Sequence, residues 1–110
     1  MSKIKKASIT NHEATVRELR ADPEYAAEFV KIALEEMEDP ETCAAALLAL
    51  RAVAEAYGMA KVAEEAGIQR ESLYRALSPS GNPTLKTLMA VMKAVGLRIS
   101  AVPDKEHSHA

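Results

Sequence analysis

The sequence predicts an all-α protein, and two observations carry that prediction. Apolar residues recur at helical spacing through most of the 110 residues, and the composition, 48% hydrophobic but only 4% aromatic, is typical of closely packed helices. Residues 59–77 hold two short amphipathic patterns that meet at Gly67, where a positive φ would let the chain turn steeply. Their inward positions are Val62, Ala63, Ala66, Ile68, Leu73 and Leu77. Such a pair predicts a helix-turn-helix that places its second helix in the major groove of DNA.

The first predicted elements are a basic leader and a helical extension. Residues 1–10 carry three lysines and no acid, and residues 11–20 could form one or two helical turns. Asp22-Pro23-Glu24 is a good helix start, because Asp caps free amides, Pro suits the first helical position and Glu favours the positive end of the helix dipole. The same motif at Asp39-Pro40-Glu41 predicts a second start. Apolar stripes follow both starts, at Tyr25, Phe29, Ile32, Ala33 and Met37 and at Ala44, Leu47, Leu48, Ala54 and Tyr57.

The last predicted elements are a loop, a helix and a strand. Residues 78–83, SPSGNP, form a turn-rich loop, after which Thr84 can cap a helix over residues 85–95 that Gly96 ends. Residues 97–102 alternate in hydropathy and predict one short strand. A single strand needs a partner, so pairing across a two-fold axis would make a homodimer, and the alternative is an extended end. The residues predicted to pair are Leu97, Ile99 and Ala101.

The net charge of −2 is spread unevenly over three predicted parts of the chain. Residues 1–38 are the leader and helical extension, residues 39–102 are the helix-turn-helix DNA-binding domain with its strand, and residues 103–110 are a flexible tail. Residues 11–58 carry four basic and eleven acidic side chains, whereas residues 59–102 carry six basic and three acidic ones. This asymmetry fits a molecule that presents one face to phosphate and another to a basic protein, although solvated helix faces would give the same totals.

Residues near the start of the second reader helix are expected to face DNA bases. Arg70 and Arg75 could each grip guanine or hold phosphate, and Glu71 could accept from cytosine or pair with Arg75. Tyr74 could pack on the preceding helix or reach the DNA backbone. The expected base contacts are Gln69, Arg70, Glu71 and Arg75, and the expected backbone contacts are Lys61, Ser72, Tyr74, Ser80, Asn82, Thr84 and Lys86.

The sequence argues against an enzyme, because no nucleophile, base and orienting group occur as a set, and we expect no cofactor. His107 and His109 make a weak metal pair, and the acids of residues 35–41 lack the spacing of a calcium loop, so we also expect no metal site. Cys43 is the single cysteine, and the chain shows no secretory signal, which favours the reducing cytoplasm.

Several motifs together resemble a known family. Tyr57-Gly58-Met59, RESLY at residues 70–74 and Gly81-Asn82-Pro83, with the acidic two-helix front end, resemble the HigA-like addiction-module antidote proteins. These antitoxins belong to the lambda-repressor-like (Xre/Cro) helix-turn-helix class, and the resemblance covers residues 19–101. It implies a lambda-repressor-like helix-turn-helix bundle with an N-terminal helical extension and a short C-terminal strand.

The resemblance also implies a function. It implies a homodimeric repressor that binds double-stranded operator DNA, neutralises a RelE/HigB-like toxin of the RelE superfamily and autoregulates its operon. Ala60 departs from the family, since many relatives carry Gln there to hold the DNA backbone, and Lys61 is the nearest cationic substitute. Two alternatives remain: a plain operon regulator without a toxin partner, and an interaction protein that has lost DNA binding. By charge alone, residues 24–41 are the expected toxin-facing surface.

Overall fold

The computed structural model describes residues 12–104, and within this range every regular element is an α-helix. The all-α prediction is therefore confirmed for the described part of the chain. The predicted leader at residues 1–10 and most of the predicted tail, from residue 105 onward, lie outside it. The helices are α1 (His12–Ala21), α2 (Pro23–Glu36), α3 (Cys43–Tyr57), α4 (Met59–Ala66), α5 (Arg70–Ala76) and α6 (Leu85–Ala94).

The helical extension consists of α1 and α2, which pack against each other and against α3. Asp22 begins α2 as predicted, because its Oδ1 accepts from the backbone N–H groups of Glu24 (3.1 Å) and Tyr25 (3.2 Å). At the far end of α1, the Tyr57 hydroxyl donates to the Leu19 carbonyl at 3.1 Å. These bonds satisfy helix-end groups that would otherwise lack a partner, so the connection between the two helices is fixed at both sides.

The second Asp-Pro-Glu motif does not start a helix, and that prediction is wrong. Asp39 lies in the turn between α2 and α3, where its Oδ1 accepts only from the N–H of Glu41 at 2.9 Å. The helix begins at Cys43 instead, after Thr42. The Thr42 hydroxyl donates to the Glu36 carbonyl at 2.6 Å and so closes the preceding helix. Asp39 and Thr42 therefore stabilise the end of α2 and the turn after it, and α3 begins only after Thr42.

The core is built around α3, which packs against α1, α2, α4 and α6. Its buried residues are Ala46, Leu47, Ala49, Leu50, Ala52, Val53, Ala54 and Ala56. Small alanines on several sides of one helix let four neighbours approach closely, which explains how a chain poor in aromatics fills its interior. The extension and the predicted reader therefore share one core.

The two helices predicted to form the reader are α4 and α5. The chain bends by 104° at Gly58, between α3 and α4, and turns again at Gly67, whose φ is +71°. After Gly67 the Ile68 N–H donates back to the Ala63 carbonyl at 3.0 Å, which closes the end of α4 in a left-handed turn. Leu73 on α5 is completely buried. The predicted inward faces of both helices are confirmed, except that Ile68 is only half-buried.

The last helix, α6, begins as predicted at Thr84, whose hydroxyl oxygen accepts from the Thr87 N–H at 3.1 Å. It ends at Ala94; after Val95 the chain turns at Gly96 (φ +77°), and the Leu97 N–H then donates to the Met92 carbonyl at 2.8 Å. Residues 97–102 form no strand, so that prediction is wrong. The described residues contain no other strand with which they could form a ladder, and Leu97 uses its N–H to cap α6 instead.

No single helix in residues 12–104 has the length and apolar character needed to cross a membrane. Together, α3 and α4 reach the necessary length and apolarity, but only as a pair bent by 104°.

Candidate nucleic-acid interface

The residues predicted to contact DNA bases form an exposed row along α5, from Gln69 just before the helix to Arg75 in its last turn. Gln69 has an extended backbone just before the helix and makes no side-chain cap, which agrees with the poor capping expected of Gln. The row consists of Gln69, Arg70, Glu71 and Arg75, all exposed, while Leu73 faces the core. The helix therefore has one buried anchor and one polar face that is free to bind a ligand.

Two shallow hollows lie on this exposed face of α5. The first is lined by Gln69, Arg70, Glu71 and Tyr74. The second is lined by Ser72, Arg75, Ser80 and Asn82, together with Ala76 and Ser78. Predicted base-contacting and backbone-contacting residues therefore lie side by side, although Ser80 and Asn82 come from the loop after α5.

The Arg75 guanidinium lines the second hollow and makes a hydrogen bond that was not expected. Its Nη2 donates to the Ser72 hydroxyl at 3.3 Å, and within the described residues it does not pair with Glu71. Glu71 consequently keeps its carboxylate on the exposed face. The sequence left two alternatives for Glu71, accepting from cytosine or pairing with Arg75, and the described structure does not contain the pair with Arg75.

The loop of residues 78–84 is held close to the end of α5 by Gly81. A Cβ at this position would lie 2.5 Å from the Arg75 carbonyl oxygen and closer still to that of Ala76, where ordinary contact begins at 3.4 Å. The Ser78 hydroxyl also donates to the Arg75 carbonyl at 2.8 Å. Only glycine permits this approach, and the approach places Ser80 and Asn82 beside the second hollow.

The remaining predicted backbone contacts lie on α4 and at the start of α6. Lys61 is exposed on α4, and Lys86 extends from α6 toward the turn between α4 and α5, since a Cβ at Gly67 would lie 3.4 Å from its Nζ. Thr84 is exposed, but its hydroxyl already accepts from Thr87 N–H and donates to Thr87 Oγ1 at 3.1 Å. The predicted contact set thus contains four cations, Lys61, Arg70, Arg75 and Lys86, and one acid, Glu71.

Sequence reasoning missed a connection between α3 and Tyr74. The Arg51 guanidinium carbon lies 5.0 Å from the centroid of the Tyr74 ring, within the range of a cation–π contact. Tyr74 therefore packs under a residue of α3, whereas the sequence suggested packing on the preceding helix or contact with DNA. The one available signal was a single arginine in the otherwise apolar segment CAAALLALRAVA.

An apolar groove lies between α4, α6 and the C-terminal segment. In the described residues, the large apolar side chains that are exposed are Leu85 (64%), Met89 (54%), Ile99 (41%) and Val102 (84%). Leu85, Met89, Leu97 and Ile99 line the groove, and Glu65, Lys86, Lys93 and Arg98 form its polar edge. Two of the three residues predicted to mediate dimerisation, Leu97 and Ile99, are thus in this groove, while Ala101 is exposed beyond it.

Within residues 12–104 no group of three or more His, Cys, Asp or Glu side chains is arranged to hold a metal ion. His107 and His109 lie outside that range.

Burial raises the pKa of the Tyr25 phenol above its ordinary value of 10.0, and the nearby Glu18 carboxylate raises it further. Tyr25 packs against the core in the extension, away from the row on α5.

Comparison with known proteins shows which family the chain resembles over most of its length. The family model described as "Probable addiction module antidote protein" matches residues 10–103. An uncharacterised protein of Haemophilus influenzae is 44% identical over 71 residues, which is 64% of this chain and 73% of the relative. No solved structure matches the chain significantly.

Proposed function

Because the chain belongs to the family of probable addiction module antidote proteins, we propose that it is the antitoxin of a toxin–antitoxin module and represses its own operon. In this proposal α4 and α5 form a lambda-repressor-like helix-turn-helix, and a homodimer binds double-stranded operator DNA. The protein acts by binding alone, in the cytoplasm, where the operator is. The observation that carries the DNA-binding part is the exposed polar row on α5, which is anchored by buried Leu73 and flanked by cations.

The charges around α5 support phosphate binding rather than a merely solvated surface. The acidic side chains of the chain are concentrated before residue 59, while four cations of the predicted contact set lie on α4, α5 and α6. Each lysine or arginine that neutralises a phosphate releases condensed counterions, so affinity would fall steeply with salt. Ser72, Ser80 and Asn82 supply uncharged donors beside Arg75.

The apolar groove supports a homodimer. Exposed apolar side chains are ordinary when scattered, but here Leu85, Met89, Ile99 and Val102 all fall between residues 85 and 102. A second copy placed on the same groove across a two-fold axis would remove them from water and present two α5 helices to two half-sites. The rim cations Lys86 and Lys93 are long enough to keep their charges hydrated. This dimer needs no strand pairing.

The toxin would bind the acidic extension. Residues 24–41 carry seven acidic side chains and one lysine. Glu24, Glu28, Glu35, Glu38 and Glu41 are exposed. RelE-superfamily toxins are expected to be basic ribonucleases, so complementary charge would speed and orient their association with this surface. This surface belongs to α2 and the following turn, apart from α5.

A plain operon regulator without a toxin is the second candidate, because α5 and its flanking cations would serve it equally well. The neighbouring gene separates the two: a small basic RelE-like protein encoded beside this chain favours the antitoxin.

DNA binding is tested by gel shift on the upstream DNA of the operon, comparing wild type with an Arg70→Ala/Arg75→Ala variant. We expect the wild type to bind with a steep negative salt dependence and the variant to lose binding. Arg17→Ala/Lys31→Ala removes two exposed cations from the extension and is the matched control. Retained operator affinity in the α5 variant would show that another helix reads the DNA.

The dimer and the toxin surface need separate tests. Met89→Glu should shift the protein to monomer in analytical ultracentrifugation, with Lys31→Glu as the control. Glu24→Lys/Glu28→Lys should weaken co-purification with the adjacent gene product, whereas Glu64→Lys on α4 should not. A dimeric Met89→Glu protein, or an unaffected toxin complex, would contradict the corresponding assignment.

A further inference from the structure

A line of polar contacts crosses the molecule from the extension to α5. His12 Nε2 lies 2.6 Å from Glu55 Oε1, and Arg51 Nε lies 3.5 Å from Glu55 Oε2. The Arg51 guanidinium in turn covers the Tyr74 ring. His12 begins α1, Arg51 and Glu55 lie one turn apart on α3, and Tyr74 lies on α5. The line therefore ends at the first hollow, which Tyr74 forms with Gln69, Arg70 and Glu71.

We propose that Arg51 is a positioning residue for DNA binding, which acts by holding the Tyr74 ring and through it the orientation of α5. This inference rests on the proposed DNA-binding function and adds to it a residue outside α4 and α5. Glu55 supports the arrangement by fixing the Nε side of the guanidinium, which leaves its flat face against the ring.

The packing of α5 explains why such a contact matters. The helix has seven residues, and Leu73 is its one buried side chain. Its main packing partner in the described structure is α4. Leu77, which is also completely buried and directly follows the helix, lies on the same face as Leu73, so a short helix held along this one face can rotate unless a second contact fixes it. Half-buried Tyr74, next to Leu73 in sequence and covered by Arg51, supplies this second contact from α3.

The position of the Arg51 charge argues against a direct phosphate contact. Its side chain is 38% exposed, and its guanidinium is shared between the Tyr74 ring and the Glu55 carboxylate. A cation already paired with a carboxylate would exchange that partner for phosphate with little net gain, whereas the ring contact persists whether or not DNA is bound.

A double-mutant cycle on operator affinity tests the proposal. We expect Arg51→Gln to weaken operator binding about 2- to 10-fold, as loss of a partly exposed cation–π contact implies. In a Tyr74→Leu background the same substitution should have no further effect, and the salt slope of binding should be unchanged. Arg51→Lys, which keeps a cation over the ring, should restore part of the affinity. Arg17→Gln, an exposed arginine of α1, is the control.

The other outcomes overturn the proposal in distinguishable ways. Additive effects of Arg51→Gln and Tyr74→Leu, with a salt slope lower by about 1, would make Arg51 a direct phosphate contact. A wild-type affinity for Arg51→Gln would remove any role for Arg51 while leaving the DNA-binding function intact. If the wild-type protein bound no operator DNA, the proposed function itself would fail. All affinities are measured well below each variant's melting temperature, so global unfolding does not enter the comparison.

Discussion

Replacing Gly81 by alanine should displace the loop of residues 78–84 from α5. The added Cβ would lie 2.5 Å from the Arg75 carbonyl oxygen, 0.9 Å short of the 3.4 Å at which contact is ordinary, and it would be closer still to the Ala76 carbonyl. Both neighbours are backbone atoms of a helix end and cannot turn aside as a side chain could. The loop must move away, and the expected cost is that of overpacking, about 1–3 kcal/mol.

This cost is measurable as a melting temperature. In a domain of this size each kcal/mol lowers the melting temperature by about 4–8 °C, which circular dichroism resolves easily. Ser80→Ala changes an exposed residue of the same loop and should stay within about 0.5 kcal/mol of wild type. Moving the loop also takes Ser80 and Asn82 away from the second hollow, so operator affinity should fall about tenfold, as expected for the loss of one or two hydrogen bonds.

A Gly81→Ala protein that melts at the wild-type temperature and binds the operator normally would contradict the steric clash at this position. The loop would then not rest against α5. A destabilised variant with normal operator affinity would keep the packing argument but remove the loop from the DNA interface.

Three further predictions concern the remainder of the fold. Asp22→Ala should lower the free energy of unfolding by about 1 kcal/mol because two N–H groups of α2 lose their acceptor, whereas Asp39→Ala, in the motif that starts no helix, should have a much smaller effect in urea unfolding. Leu73→Ala should cost about 2–5 kcal/mol, since this side chain is completely buried; a loss below 1 kcal/mol, measured the same way, would mean that α5 is loosely attached. The raised pKa of Tyr25 means that folding favours the neutral phenol. Its contribution is fully present below pH 10.0 and is lost as the pH rises through the raised pKa, so Tyr25→Phe should lose less stability in alkali than wild type. Equal alkaline losses in the two proteins would assign the effect to other groups.

Local sequence signals predicted much of the fold because many of its boundaries depend on local chemistry. Asp22, Gly67, Thr84 and Gly96 each act on the backbone within a few residues, so their roles follow from side-chain type and spacing alone. The repeated Asp-Pro-Glu motif exposes the limit of such reasoning. Its second copy is used by the end of α2, and a competition between two neighbouring helix ends cannot be resolved from three residues.

Features that depend on distant residues could not be predicted. The contact between Arg51 and Tyr74 joins residues of two different helices, and the isolated arginine in its apolar segment does not indicate which residue it contacts. The predicted strand at residues 97–102 was wrong for a related reason, since alternating hydropathy reports which side chains prefer burial but not whether a partner strand exists. The exposed row on α5 was predictable because it follows from one helical period.

The central position of α3 has a thermodynamic consequence. The extension and the proposed DNA reader each rest on this one helix, so neither can unfold without exposing part of the other's interior. A ligand that binds either half only in the folded state therefore stabilises both halves, by about 2.7 kcal/mol when its concentration is 100 times its dissociation constant. Occupancy of the acidic surface would thus lower the population of molecules in which α3 and the reader unfold together, without any change in the shape of the reader.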